Sequence, residues 1–329
     1  MGKIKLDLVD KKILSELDKN CRIPNSILAK KVNKSREAVK YRIQQLIDKE
    51  IIKKFITSIN PNKIGYHMYK VYMKLENIPQ EREKFFNALK QNKDIYWMGI
   101  SDGVFDCVLA IIAKNDIEYF EKINSLLSKW EHVIISKVLG TMVDTRQYPK
   151  KFFLDEKEGQ PVIFGGNTID NELDDLDLKI LSTLANEARI PLLELSRRTK
   201  STIDIVRSKI KKLEDKGIIL QYRIDVDLNK LGLEFFKAII YFRDLSPKDE
   251  MALMEWVGTH PKSLYYIRSL APWEVEFEFA VENYQEFNNI IRDLREKFAH
   301  VIRNYEHLIM IYETWMPAYK ELLKMENQG

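Results

Sequence analysis

The sequence is poor in cysteine: two residues in 329, Cys21 and Cys107, far apart in the chain. That excludes a disulfide-stapled scaffold and fits a reducing compartment. Long hydrophobic runs are missing too. The longest, VLAIIA at 108–113, falls well short of the ~18 apolar residues that span a bilayer and reads as a buried strand. The opening MGKIKLDLVDKK has no apolar core, so no signal peptide is expected, and Met-Gly is not followed by the hydroxyl residue of a myristoylation site. Charge of one sign is scarce. Lys+Arg number 53 against 49 Asp+Glu, a formal net charge of +4. So small an excess does not mark a nucleic-acid binder; only the placement of the charges can. The histidines His67, His132, His260, His300 and His307 show no metal-ligand spacing, and no P-loop, nucleophile elbow or Cys–His pattern is present. These absences predict no metal, no cofactor, no catalytic residues and no enzyme, in a cytoplasmic chain without a membrane partner.

What is present is a duplication. Shifted by 167, LDLVDKKILSELDKNCRIP (6–24) lies on LDDLDLKILSTLANEARIP (173–191) without a gap, and DKEIIKKFITSINPNKIGY (48–66) lies on DKGIILQYRIDVDLNKLGL (215–233). Later segments still correspond at 167 or 168. A period this long is a duplicated multi-element unit, not a solenoid. Between the copies, 150–172 mixes charge, Pro and Gly-Gly and reads as a linker, with Phe152, Phe153, Val162, Ile163 and Phe164 suited to docking.

Each copy opens with three helices. Val9, Ile13, Leu14 and Leu17 follow helical spacing; Ile27, Leu28 and Val32 mark a second helix; Ser35 caps a third that carries Val39, Ile43, Leu46 and Ile47. Copy two repeats this with Leu176, Ile180, Leu181 and Leu184, then Leu192 and Leu195, then Val206, Ile210 and Leu213, closed by a left-handed Gly217. A basic stretch, 51–59, reads as a wing hairpin. Such a triad is a helix-turn-helix, whose third helix can enter a major groove. Its outer face in copy one offers Ser35, Arg36, Lys40, Tyr41, Arg42 and Gln44, and in copy two Ser201, Thr202, Arg207, Ser208 and Lys211. Neighbouring lysines and arginines surround both faces. The chain is nearly balanced, yet cations are focused here, as phosphate neutralisation requires. A solvated charged helix face is the plainer alternative; its repetition in two copies favours DNA.

The remainder of each copy reads strand–helix–strand–strand–helix–strand, the ferredoxin-like order, with helices on one sheet face. The other face needs a partner, and the second copy supplies one. The expected class is thus α+β: tandem winged helix-turn-helix domains and βαββαβ sensing domains, the two sheets packed as an intramolecular pseudo-dimer. The boundaries are 1–60 and 61–149, a linker at 150–172, then 173–227 and 228–329. Strand 273–281 alternates, with Trp273, Val275, Phe277 and Phe279 on one side and Glu274, Glu276 and Glu278 on the other. Buried glutamates are costly unless paired, so this face is expected to be wet or bridged to Arg268 or Arg303 rather than a cationic-ligand site. His132 and His300 match across the repeat, which suggests a shared structural role.

LDxxDxKIL, ARIP, LSRRTKSTxxxVRSKIKKLEDKGII and Lys230-Leu231-Gly232, echoed in copy one to Lys63-Ile64-Gly65, resemble the Lrp/AsnC, or feast/famine, regulators over almost the whole chain. The resemblance implies a winged helix-turn-helix followed by a βαββαβ (RAM-type) sensor, sequence-specific binding of double-stranded DNA, an amino-acid-like effector and possible further homo-oligomers. It places effector contacts at Asp102, Gly103 and Asp106, in the Gly103-Val104-Phe105-Asp106 turn, and at Thr141. Copy two has Ala271-Pro272-Trp273-Glu274 there, with proline removing an N–H donor. Two rivals remain. Some porphyrin-modifying (sirohaem-type) decarboxylases resemble the same two-part unit, but of their His-Asn-Tyr-x-Arg type segment only Tyr266-Ile267-Arg268 is kept. The other rival is a scaffold that does not bind DNA.

Overall fold

The computed structural model describes residues 4–156 and 159–315. The Met1-Gly2 start and the stretch 316–329 expected to end the second βαββαβ domain lie outside them. Copy one opens with α1 (Leu8–Lys19), α2 (Asn25–Lys31) and α3 (Arg36–Asp48). Asp7 caps α1 by accepting from the Asp10 amide, and Ser35 caps α3 by accepting from that of Ala38. Ile13, Leu14, Leu17, Leu28, Val39 and Leu46 close a small core. Next come β1 (Ile52–Ile59), β2 (His67–Leu75), α4 (Pro79–Gln91), β3 (Ile95–Gly103), β4 (Cys107–Ala113), α5 (Asp116–Leu127) and β5 (Ile134–Gln147). The connecting stretch supplies β6 (Val162–Gly165), which pairs with β5.

Copy two repeats the order. It runs α6 (Asp175–Leu184), α7 (Leu192–Arg198), α8 (Ile203–Asp215), β7 (Ile219–Val226), β8 (Glu234–Phe242), α9 (Pro247–Thr259), β9 (Ser263–Leu270), β10 (Val275–Val281), α10 (Tyr284–Lys297) and β11 (Ile302–Trp315). Asp174 and Asp177 form a capping box on α6, and Gly217 is left-handed at φ 66° after α8.

The expected wing hairpin is corrected: each copy contributes one strand, and the strands pair across copies. β1 runs antiparallel to β7, with Phe55 opposite Ile224 and Thr57 opposite Tyr222. A single ribbon therefore joins the two helical triads. A side-chain staple adds to it: Arg22 donates to the carbonyls of Ala188 (2.6 Å) and Ile190 (3.2 Å), while Arg189 donates to the carbonyl of Cys21.

The two βαββαβ domains do more than face each other. Each keeps the ferredoxin-like strand order, β5-β2-β4-β3 and β11-β8-β10-β9. The long last strands then cross over. The second half of β5 pairs with β9, and the second half of β11 pairs with β3. Eight strands thereby close into a flattened barrel with no open edge between the copies. Helices α4 and α5 cover one outer face over a core built on Phe85, Leu89, Met98 and Ile123. Helices α9 and α10 cover the other over Phe277, Phe279, Phe287 and Leu294. The third and largest core lies between the sheets and runs up into the helical triads.

Candidate nucleic-acid interface

Both third helices bury one side and expose the other. On α3, Val39, Ile43 and Leu46 face inward, while Arg36, Lys40, Tyr41 and Gln44 are exposed together; Gln44 donates to Asp48 at 2.7 Å. On α8, Val206, Ile210 and Leu213 face inward, with Thr202, Arg207, Ser208 and Lys211 exposed and Ser201 half-buried. The hydroxyls of Ser35 and Thr202 accept from helix amides as caps, so they hold the helix starts. Arg207 is paired with Asp204 at 2.6 Å in the open, an arrangement that binds its charge only weakly.

Arg42 stands apart from the outward set. It donates to Asp7 and Asp10, each at 2.7 Å, clamping α3 to the start of α1. Lys209 occupies the matching place in copy two and grips Asp174 and Asp177. Donating to Asp10 and Asp7 pushes the Arg42 pKa above its ordinary value despite some desolvation. Between the triads, Arg22, Arg36 and Arg189 line a groove with Asn25 and Ser26 that leaves about 970 Å³ of empty space. Arg22 and Arg189 were not in the sequence-derived set. Their signal was the arginine repeated in CRIP and ARIP, but only pairing of the copies brings the two together.

The four residues carried over as effector contacts fall in two places. Asp102 is exposed and accepts from the Gly103 amide. Gly103 sits at φ 124° with the β11 backbone against it: a Cβ there would lie 2.6 Å from the His307 carbonyl oxygen. Asp106 is buried, accepts from the Leu75 amide at 2.9 Å and pairs with Arg82 and Lys74. Thr141 lies instead beside the other copy's turn, in register with Leu270.

The glutamate strand gives the largest departure from expectation. Glu276 and Glu278 point between the sheets and are buried, as are Lys70 and Lys237. Lys237 bridges both acids, and Lys70, from the other copy, reaches Glu276 at 2.9 Å. The Tyr72 hydroxyl also donates to Glu276, with Ser269 and the Trp273 indole at 3.3 Å. Burial alone would favour a neutral Glu276, but Lys237 and Lys70 outweigh it and hold its carboxyl far below the usual range. Burial lowers Lys70 to about 8. The expected partners were wrong: Arg268 bridges Asp144 and Glu250, and Arg303 is exposed. Trp273 also belongs on the glutamate side, because it precedes the strand and folds inward. His132 and His300 pair with Glu81 at 3.4 Å and Asp249 at 3.1 Å, matching positions again.

Tyr266 and Arg268 do not line the space between the sheets. Tyr266 is buried in the core under α9 and α10, and its neighbours Tyr265 and Ile267 take the inner face. Among the described residues no group of histidine, cysteine and carboxylate side chains is arranged to hold a metal, and no helix is long and apolar enough to cross a membrane.

A profile of winged helix-turn-helix DNA-binding domains matches residues 6–53 and 173–219. The regulator Ptr1 of Methanocaldococcus jannaschii is 32% identical over 120 residues, 36% of this chain and 78% of that protein. LrpB of Bacillus subtilis is 28% identical over 123 residues, 37% of this chain and 81% of its own. Each match fits within the length of one copy. Among solved structures, the siroheme decarboxylase NirDL superposes with a TM-score of 0.65 at 12% identity, covering 97% of both chains. That likeness in fold overturns the expectation that the chain is no enzyme, since a catalyst is built on this whole architecture. Its segments, its repeat and its relatives agree on kinship: the chain belongs to the Lrp/AsnC family, with two of the family's units in tandem.

Proposed function

We propose that this protein is a sequence-specific, DNA-binding transcription regulator of Lrp type in which a single chain supplies both readers. The observation that carries the reading is the outward cationic face on both third helices, held at fixed spacing by the shared ribbon and the closed barrel. Arg36, Lys40, Tyr41 and Gln44 read in copy one; Arg207, Ser208 and Lys211 read in copy two, with Ser201 and Thr202 at the helix start. The faces differ in chemistry, so the preferred site is asymmetric or only loosely palindromic. Fusion raises the effective concentration of the second reader once the first is bound. Arg22 and Arg189 add positive charge near the pseudo-dyad. In the family's manner an amino-acid-like effector at the Asp102-Gly103 turn modulates binding. Duplex titrations across salt concentrations test the reading: affinity falls steeply with salt for a reader, and a scaffold shows no duplex binding.

A second reading rests on the whole-chain likeness to NirDL: a tetrapyrrole-modifying enzyme using the space between the sheets. Incubation with siroheme separates the two readings. A shifted Soret band with release of carbon dioxide supports the enzyme, and an unchanged spectrum removes it.

A further inference from the structure

Arg22 and Arg189 hold the same position in the repeat, and the fold sets them symmetrically where the copies meet. Arg22 donates to the carbonyls of Ala188 and Ile190, and its guanidinium lies 5.4 Å from the centre of the Tyr222 ring. Arg189 donates to the Cys21 carbonyl and to Asn25, and lies 5.6 Å from the centre of the Phe55 ring. Phe55 and Tyr222 are themselves matched positions, on β1 and β7. The pseudo-dyad therefore passes between the two guanidinium groups.

These contacts satisfy hydrogen bonds but not charge. Among the described residues neither arginine forms an ion pair, nor does Arg36 beside them, and no carboxylate lines the groove they share. Burial and the nearby charge of Arg22 lower the Arg189 pKa. Two half-buried like charges without a counter-charge are costly, and the staple does not require them, since an amide side chain also donates to a carbonyl. Of the empty space in this groove, about 560 Å³ is wide enough for a water-sized group. The groove opens on the side of the readers, because Arg36 at the exposed start of α3 forms part of its wall, with Asn25 and Ser26 at the start of α2.

We infer that this groove receives the minor groove at the centre of the bound duplex, with Arg22 and Arg189 directed into it and A·T pairs preferred there. This placement rests on the DNA-binding reading. With α3 and α8 in successive major grooves on one side of a duplex, about 34 Å apart, the minor groove between them turns toward the protein at the pseudo-dyad. Runs of A·T narrow that groove and deepen its negative potential, which favours arginine, whereas the guanine 2-amino group stands in its floor as a competing donor. The central pairs lie out of reach of both third helices, so a preference there comes from Arg22 and Arg189.

The test uses the full chain and the duplex it selects from random-sequence DNA. Enrichment of A·T is expected at the centre of the footprint. Replacing those central pairs with G·C weakens binding at least about tenfold, while inosine·cytosine pairs restore it to within about threefold, because they lack the 2-amino group yet present the major groove of G·C. Arg22→Gln with Arg189→Gln keeps donors for the carbonyls, reduces the magnitude of the salt slope by about 2 and abolishes the central preference. Arg36→Ala with Lys40→Ala weakens binding but keeps that preference. If the glutamine variant unfolds, the base-pair series decides alone. Three results would overturn the inference: a centre indifferent to A·T or G·C, inosine·cytosine bound as weakly as G·C, or a folded glutamine variant that still discriminates. In each of these the chain still binds duplex and the DNA-binding reading stands; absence of salt-dependent duplex binding removes both.

Discussion

The two copies are alike where the chain folds and unlike where the copies meet. Arg42 with Asp7 and Asp10 in copy one is matched by Lys209 with Asp174 and Asp177 in copy two. His132 with Glu81 is matched by His300 with Asp249. Inside the barrel the correspondence fails. Lys70 and Lys237 hold the same repeat position, but Lys70 stands opposite Ala110 and Lys237 opposite Glu278. Glu276 stands where copy one has Val108. Two copy-one halves would bury two lysines with no acid between them, and two copy-two halves would bury four acids on two lysines. Only the mixed pair balances. The halves are complementary rather than interchangeable, and the mismatch acts against self-pairing.

The largest effect should come from breaking that balance. Glu276→Ala leaves Lys70 and Lys237 together in a dry interior and should cost on the order of 3–5 kcal/mol, read by denaturant unfolding. Replacing Lys70, Lys237, Glu276 and Glu278 together with apolar residues of similar volume should be about neutral or stabilising, because no lone charge remains. A small loss in Glu276→Ala would show that the network is solvated and that the copies are less different than drawn.

Next in size is DNA affinity. Arg36→Ala with Lys40→Ala should weaken duplex binding at least about tenfold and reduce the magnitude of the salt slope by about 2. Arg207→Ala with Lys211→Ala should weaken it less, since Asp204 already shares the charge of Arg207. Equal losses would make the readers equivalent; survival of affinity in the first variant would remove copy one as a reader.

Copy two by itself supplies opposite responses to pH. Glu276 has a lowered pKa in the fold, so its contribution is present above the ordinary 4.5 and is lost as acid carries the pH below that toward its folded value. Glu313 is raised to about 7, so its contribution is present below 4.5 and is lost as pH rises toward 7. Unfolding midpoints between pH 7 and 3 should thus rise and then fall. Glu313→Gln should flatten the first limb, and an unchanged profile in that variant would place Glu313 in water.

The smallest effect is local. Asp10→Ala loosens a partly exposed clamp, worth about 0.5–1 kcal/mol and reduced by salt. Asp177 is buried and also closes the capping box on α6, so Asp177→Ala should cost more; an equal loss would show that only the clamp is felt.

Much of the fold was legible in the chain. Helical spacing at Ile13, Leu14 and Leu17, the cap Ser35 and the turn at Gly217 are local signals, and local chemistry fixes them. The alternation in 273–281 marked a strand, which starts two residues later, at Val275. Which lysines would answer its glutamates was not legible, because Lys70 and Glu276 are 206 residues apart and meet only through the pairing of two sheets. For the same reason the wing was misread. A single strand and half a hairpin share one pattern, and only the partner's position distinguishes them. Arg42 looked like another outward cation of α3 until the acids at the start of α1 took it.

By itself the sequence determined the duplication, the order of elements in each copy and the faces that must be buried, because periodicity and capping act over a few residues. Tertiary structure alone decided that the strands cross between copies, that four charges meet in the dry interior, and that Arg223 is buried beside Asp18 of the other copy. Those outcomes depend on distances between residues remote in the chain, which no local pattern encodes.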